Sequence, residues 1–271
     1  MDLKRMEADS TYFKSWRTYH GLLCEANERN VLTNEPMITR LYGFETVSDP
    51  TADRGIVPAG GATFGFVMQG TVELRLPGTT TLYGSLSEGQ WFSLPDGVSL
   101  RLGADSRAMV AQSLAFKGLA ALGGPIETVG RLRYIDRCSD TLLMCPPLLG
   151  DPCLNHLHFP TDISQTEHTH PSGRFGAVAR GKGICETPSG KSELLAGNIF
   201  YIPDGARHRF CTEDNHMDVI AYHPDSDWGP TDREHPMINR TWVNGSKMDN
   251  STAEHQSASV IARQLDSLGD Q

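Results

Sequence analysis

Residues 64–102 read FGFVMQGTVELRLPGTTTLYGSLSEGQWFSLPDGVSLRL, and residues 175–210 read FGAVARGKGICETPSGKSELLAGNIFYIPDGARHRF. Both open on Phe-Gly, Phe64-Gly65 against Phe175-Gly176. Both place a second glycine five residues on, Gly70 against Gly181, and both contain Gly-x5-Pro-Asp-Gly, from Gly89 to Gly97 and from Gly197 to Gly205. Self-similarity of this kind marks a duplicated unit and decides the fold before any single element is assigned. Within each copy, apolar runs such as TVELRL and NIFYIP are broken by Gly, Pro, Asn or Asp. Short strands separated by turn residues indicate an all-β sandwich or barrel and not βαβ units. The expected architecture is therefore two β-barrels in one chain.

Working outward, residues 1 to about 35 are expected to be mostly helical, with TYFKSWRTYHGLL as an amphipathic stretch. A C-terminal helix is expected over SASVIARQLDSL, where Ile261, Leu265 and Leu268 fall at helical spacing. The polar run NGSKMDNSTAEHQ before it reads as a flexible linker. HPDSDWGPTDREHPMINRTWV, residues 223–243, reads as a structured exit loop with Trp228 packed; its acids lack the spacing of a calcium loop. The division drawn is residues 1–120 for the first barrel with its helix and 121–271 for the second with its extension.

The 271 residues carry a formal charge of -9 and no long basic run, which argues against a nucleic-acid partner. The charged N-terminal stretch offers no apolar span for a signal peptide or a membrane crossing, and a cytoplasmic protein is expected. Six cysteines without a CxxC pair read as reduced, structural thiols.

Chemistry concentrates in TEHTHPSGRFGAVARGKG, residues 166–183. His168 and His170 are two apart, so on a strand they share a face, and His208 follows the second PDG turn. Neutral imidazoles are common metal ligands, and three of them from two strands leave coordination positions open. HxH, a glycine downstream and G-x5-P-x-G-x2-H occurring together point to a metal centre. His156 and His158, also two apart, are candidate cavity acid/base groups, His158 foremost, or a source of a fourth ligand, or equally a strand-surface pair. Tyr201 and Tyr222 are candidate hydrogen-bond donors inside the barrel, with packing as their default role.

This pattern resembles the cupin superfamily, whose first motif is G(X)5HXH(X)3,4E(X)6G and whose second is G(X)5PXG(X)2H(X)3N. The resemblance spans both repeats, roughly residues 40 to 120 and 150 to 228. It implies an all-β bicupin, two jelly-roll-like double-stranded β-helix barrels, here with flanking helices. Gly197, Pro203, Gly205 and His208 fit the second motif as far as its histidine. The departures are Asp162 for the first glycine, Thr212 for the final asparagine and Arg174 for the acid. In the first barrel Val57, Ala59, Thr63 and Leu100 stand opposite His168, His170, Arg174 and His208, so one barrel keeps metal chemistry and the other does not.

With a guanidinium in place of a carboxylate, a metal keeps its full charge and the pocket favours an anion. Arg174 has two open placements: inward, gripping a substrate carboxylate, or outward, paired with a surface acid, since a one-residue shift reverses facing. A three-histidine cap resembles that of thiol, diketone-cleaving and gentisate-type dioxygenases. It implies a divalent metal, iron(II) first, and oxygenase chemistry on a small anionic substrate. The alternatives are zinc, manganese or nickel in a non-redox isomerase, decarboxylase or rearrangement enzyme, including N–N bond formation, and a cupin that binds a small ligand without transforming it. Sheet edges that need covering, and the habit of bicupins, point to a homodimer.

Overall fold

The computed structural model describes residues 8–46, 54–114, 116–226, 228–231, 235 and 237–248. The chain opens with β1 (Ala8–Asp9) and β2 (Lys14–Trp16). The first barrel follows: β3 (His20–Arg29), β4 (Pro36–Glu45), β5 (Arg54–Val57), β6 (Ala62–Gln69), β7 (Thr71–Arg75), β8 (Leu82–Ser87), β9 (Trp91–Leu94), β10 (Val98–Leu102), β11 (Arg107–Ser113) and β12 (Ala121–Gly123). The second comprises β13 (Leu132–Arg133), β14 (Ser139–Met144), β15 (Cys153–Phe159), β16 (Ile163–Ser164), β17 (Arg174–Thr187), β18 (Gly190–Leu195), β19 (Ile199–Ile202), β20 (Arg209–Thr212) and β21 (Met217–His223).

The two halves repeat one topology. The first has sheets ordered β12-β9-β6-β11-β4-β3 and β5-β10-β7-β8. The second has β2-β19-β17-β21-β15-β14 and β16-β20-β17-β18, the long β17 serving both sheets. Alternation builds the smaller sheets: in β7, Val72 and Leu74 are buried while Thr71 is exposed, the period-2 pattern of a half-solvated strand. β6 has no such alternation because both its faces are covered, buried from Ala62 through Met68. Phe64, Phe66 and Met68 share a core with Phe175, Ala177, Ile220 and Tyr222, so the large sheets of the two barrels pack face to face. Val67 on the opposite face joins the first barrel's own interior.

The shared Phe-Gly has a steric cause. Gly65 pairs with Phe92 and Gly176 with Phe200. A Cβ on Gly65 would lie 2.2 Å from Phe92 Cε1 and Cζ, and one on Gly176 would lie 2.5 Å from Phe200 Cζ. The second glycine of each repeat sits at positive φ, 71° at Gly70 and 74° at Gly181, a conformation that side chains resist.

Among the described residues the expected N-terminal helix is absent. TYFKSWRTYHGLL contributes β2 and the start of β3 instead. Phe13, Trp16 and Tyr19 lie three apart and imitate a helical face, but tertiary demand prevails. Trp16 pairs with Ile199 along the open edge of β19, and all three aromatics are buried. The boundary at 120/121 is crossed in both directions: β2 completes the second barrel's sheet, and β12 completes the first's by pairing with β9. The expected C-terminal helix lies outside the described residues.

Pro146–Asp151 and Ser226–Gln271 form a separate compact unit. Leu149 N donates to Pro230 O across it at 2.9 Å. The reading of NGSKMDNSTAEHQ as linker is corrected at its start. Asn244-Gly245, both at positive φ, turn a hairpin between Trp242–Val243 and Ser246–Lys247, as an Asn-Gly pair favours. Trp228, expected to pack, is 54% exposed.

Candidate metal centre

His168 and His170 lie on the loop between β16 and β17, and His208 lies just before β20. His168 and His208 form an isolated antiparallel bridge, each backbone N–H donating to the other's carbonyl at 3.0 Å. The PDG turn is tied to the same loop by Gly205 N donating to His170 O at 2.8 Å. Ring centroids stand 4.6 Å apart for His168 and His208, 4.9 Å for His168 and His170, and 5.2 Å for His170 and His208. One nitrogen from each ring lies within 4.8 Å of the others, and among the described residues no other group of three His, Cys, Asp or Glu could hold an ion.

Two tautomers follow from the partners. His168 Nδ1 is 2.8 Å from Thr166 O and His208 Nδ1 is 2.9 Å from Ala206 O. A carbonyl only accepts, so both Nδ1 atoms carry the proton and both Nε2 lone pairs are free for a cation. Burial, with help from Arg174 and the neighbouring imidazoles, pushes His170 down to about 2. Burial also lowers His208 to about 4, against the pull of the Ala206 carbonyl. Both rings are neutral at physiological pH, the form that binds metal. The donor set fits a divalent cation of the kind imidazole favours.

Arg174 faces inward. It lines a cavity of about 60 Å³ together with the three histidines and His223. Its Nη1 donates to Ser172 O at 3.0 Å, Ser172 Oγ at 2.8 Å and Gly173 O at 3.1 Å. Burial lowers its pKa, and Asp225 and Glu28 are among the groups working the other way. The loop beneath it is held from the first barrel: Glu28 on β3 accepts from Gly173 N at 3.0 Å and from the Tyr201 hydroxyl at 3.3 Å. The half without the histidine cap thus contributes directly to the placement of Arg174. Its own interior is filled where the second is hollow, with Val57 and Leu100 buried among Val72, Leu74 and Val98. Thr63, opposite Arg174 in the repeat, donates its hydroxyl to Asp96 O at 3.0 Å.

Three candidates belong elsewhere, each because strand parity sends it to the opposite face. On β15, Asn155, Leu157 and Phe159 line the cavity, so His158 faces away. It donates from Nδ1 to Asp218 Oδ1 at 2.9 Å, the oxygen that His156 Nε2 also approaches at 2.9 Å, while Arg180 Nε donates to Oδ2 at 2.9 Å. On β19, Phe200 and Ile202 line the cavity, and Tyr201 stacks outside on Phe175 with centroids 4.7 Å apart. On β21, Tyr222 is fully buried between the barrels, 5.0 Å from Phe64, while Val219, Ala221 and His223 point inward. The same parity supplies what was missed. His223 is half-buried, and desolvation, Arg174 and His170 hold its pKa well below the usual histidine value. Asp140, Asn155 and Tyr134 also line the cavity. No spacing announces them; only the facing of β14, β15 and β21 does.

A doubly repeated barrel with one histidine-capped cavity defines a cupin-fold protein of the two-barrel kind. No family model matches the sequence, and no curated protein matches it. In structure the chain is similar to a Pseudomonas aeruginosa protein described as glyoxylate-induced, with TM-score 0.50 and 13% identity over 85% of this chain and 95% of that one. It is also similar to a cupin 2 conserved barrel domain protein from Leptotrichia buccalis, with TM-score 0.46 and 11% identity over 76% and 89% of the chains. Salicylate 1,2-dioxygenase from Pseudoaminobacter salicylatoxidans gives TM-score 0.48 and 12% identity over 69% and 70%. These likenesses are of fold. Among the described residues no helix is long and apolar enough to cross a membrane.

Proposed function

We propose that the chain is a metal-dependent enzyme acting on a small anionic organic substrate, its divalent metal held by His168, His170 and His208 and iron(II) its working ion. The observation that carries this reading is the convergence of three imidazole nitrogens within 4.8 Å in the wall of a cavity that also presents a half-buried guanidinium. When bound, the metal would supply open coordination positions and, as iron(II), redox chemistry with dioxygen. The protein supplies the rest. Thr166 and Ala206 carbonyls fix the ligand tautomers, Arg174 draws and orients the anion, and the surrounding aromatic and aliphatic walls limit water around it.

Elemental analysis of the freshly purified full chain tests the centre. About one divalent metal per molecule is expected, with loss of stoichiometric metal in His208→Ala. Full retention by that variant overturns the assignment. Oxygen consumption by the iron-loaded protein across carboxylates, catechols and thiols tests the chemistry, and no uptake with any of them removes the oxygenase reading.

A further inference from the structure

Two charged side chains lining the cavity are each fixed by one set of bonds and each carry one buried atom without a partner. Asp140 Oδ2 accepts from Asn155 Nδ2 at 3.0 Å, while Asp140 Oδ1 is buried without a hydrogen-bond partner. Arg174 Nη1 is committed to Ser172 and Gly173, while Arg174 Nε is likewise buried and unpartnered. One idle atom accepts and the other donates. Asn155 Oδ1, beside Asp140, is a second idle acceptor. Strand register explains the placement: Asp140 pairs with Leu157 and Leu142 with Asn155, and both Leu157 and Asn155 face the cavity. Tyr134, on the same wall, senses both charges, so it lies within electrostatic range of Arg174 and of Asp140.

Leaving a buried polar atom unpaired costs about 1–3 kcal/mol, and native folds seldom carry such atoms without a role. Here two of opposite sense belong to side chains that line a single cavity, whose other walls include Leu157, Phe159, Phe200 and Phe210. Its volume of about 60 Å³ leaves room for only a few non-hydrogen atoms beyond the rim.

We propose that the cavity selects a small carboxylate carrying an O–H or N–H donor next to the carboxylate group, with Arg174 taking the carboxylate and Asp140 accepting from the donor. This rests on the functional reading above and narrows its substrate class; it makes Asp140 a specificity-determining residue. A plain carboxylate leaves Asp140 Oδ1 unpaired, and a neutral diol leaves Arg174 uncompensated. A site built to pair a substrate hydroxyl rejects the analogue that lacks it far more strongly than an apolar pocket discriminates by size.

Calorimetric titration of the full chain, metal-loaded and metal-free, with 2-hydroxypropanoate, 2-aminopropanoate, propanoate and propane-1,2-diol tests this. At least one of the two donor-bearing acids is expected to bind ~10-fold or more tightly than propanoate, with the diol weaker still; which acid binds distinguishes a hydroxyl from an amino donor. In Asp140→Ala the preference should fall to within about threefold while metal content and propanoate affinity persist, and in Arg174→Gln all acids should weaken ~10-fold or more. Equal affinity of wild type for donor-bearing and plain acids overturns the proposal. So does an intact preference in Asp140→Ala, which would trace it to the metal, or absence of binding by any acid, which would leave Asp140 and Arg174 to water alone. The comparison among ligands on wild type needs no variant to fold. Absence of metal from the purified protein would strike the functional reading instead, and the metal-free titration would still judge Asp140 and Arg174.

Discussion

Asp218 shows how much of this molecule's charge serves the fold and not the cavity. It is fully buried, yet His156, His158 and Arg180 all bond to its carboxylate. Burial alone would raise its pKa; the two imidazole hydrogen bonds and Arg180 outweigh that and hold it below the usual range. Removing one partner of such a network leaves the others desolvated and unpaired, so Asp218→Ala is expected to cost about 2–4 kcal/mol, read as a fall in Tm. The metal bound per folded molecule should not change, because the cluster lies on the face of β21 opposite the cavity. Asp140 behaves in the contrary sense. Burial raises its pKa from 3.8 to about 6, so the folded state disfavours its charged form. The cost is absent below about pH 4, grows as pH rises to about 6, and is constant above. Asp140→Asn should therefore stabilise the metal-free protein at pH 8 by about 1–2 kcal/mol, after allowing for partial solvent screening, and by almost nothing at pH 4. Thermal melts at the two pH values measure the difference; an equal effect at both would contradict the assignment.

Strands of the repeat were legible because their signals are steric. Phe-Gly recurs because a ring from the neighbouring strand occupies the space over each glycine, and Gly65→Ala should lower stability by about 2–4 kcal/mol through collision with Phe92. Calorimetric melting would show this, with metal content of the folded fraction unchanged, since Gly65 belongs to the barrel without the histidines. The three clustered histidines were legible for a related reason: HxH before β17 and His208 after PDG keep fixed distances from the repeat's own landmarks. Parity was not legible. β15 and β21 are covered on both faces, so hydrophobicity does not reveal which alternate set looks inward. For His158 the facing was accordingly left open, Tyr201 and Tyr222 take the packing role that was their default, and His223, Asp140 and Asn155 were overlooked. The N-terminal helix failed differently. Aromatics three apart satisfied a helical pattern, while the true determinant, the unpaired edge of β19, lies far along the chain.

At the scale of the whole molecule the barrels are interlocked and not merely tethered. Each contributes a face to the core around Phe64, Phe175 and Tyr222, Tyr19 donates its hydroxyl to Gly197 O at 3.0 Å, and Glu28 braces the loop that carries Arg174. A chain begun at residue 18 would lose Phe13, Trp16 and the strand that covers β19. It should self-associate through that bare edge, so light scattering is expected to find aggregate where the full chain gives a defined species. A monodisperse, metal-replete truncated protein would show the strand to be dispensable.

The pairing of Trp16 with Ile199 also sets a schedule. The ribosome makes β2 long before its partner β19, and at roughly 5–20 residues per second the intervening chain takes on the order of ten to forty seconds to emerge. For that interval an apolar, aromatic segment has no proper neighbour, so it is the order of synthesis that leaves this segment open to off-pathway contacts.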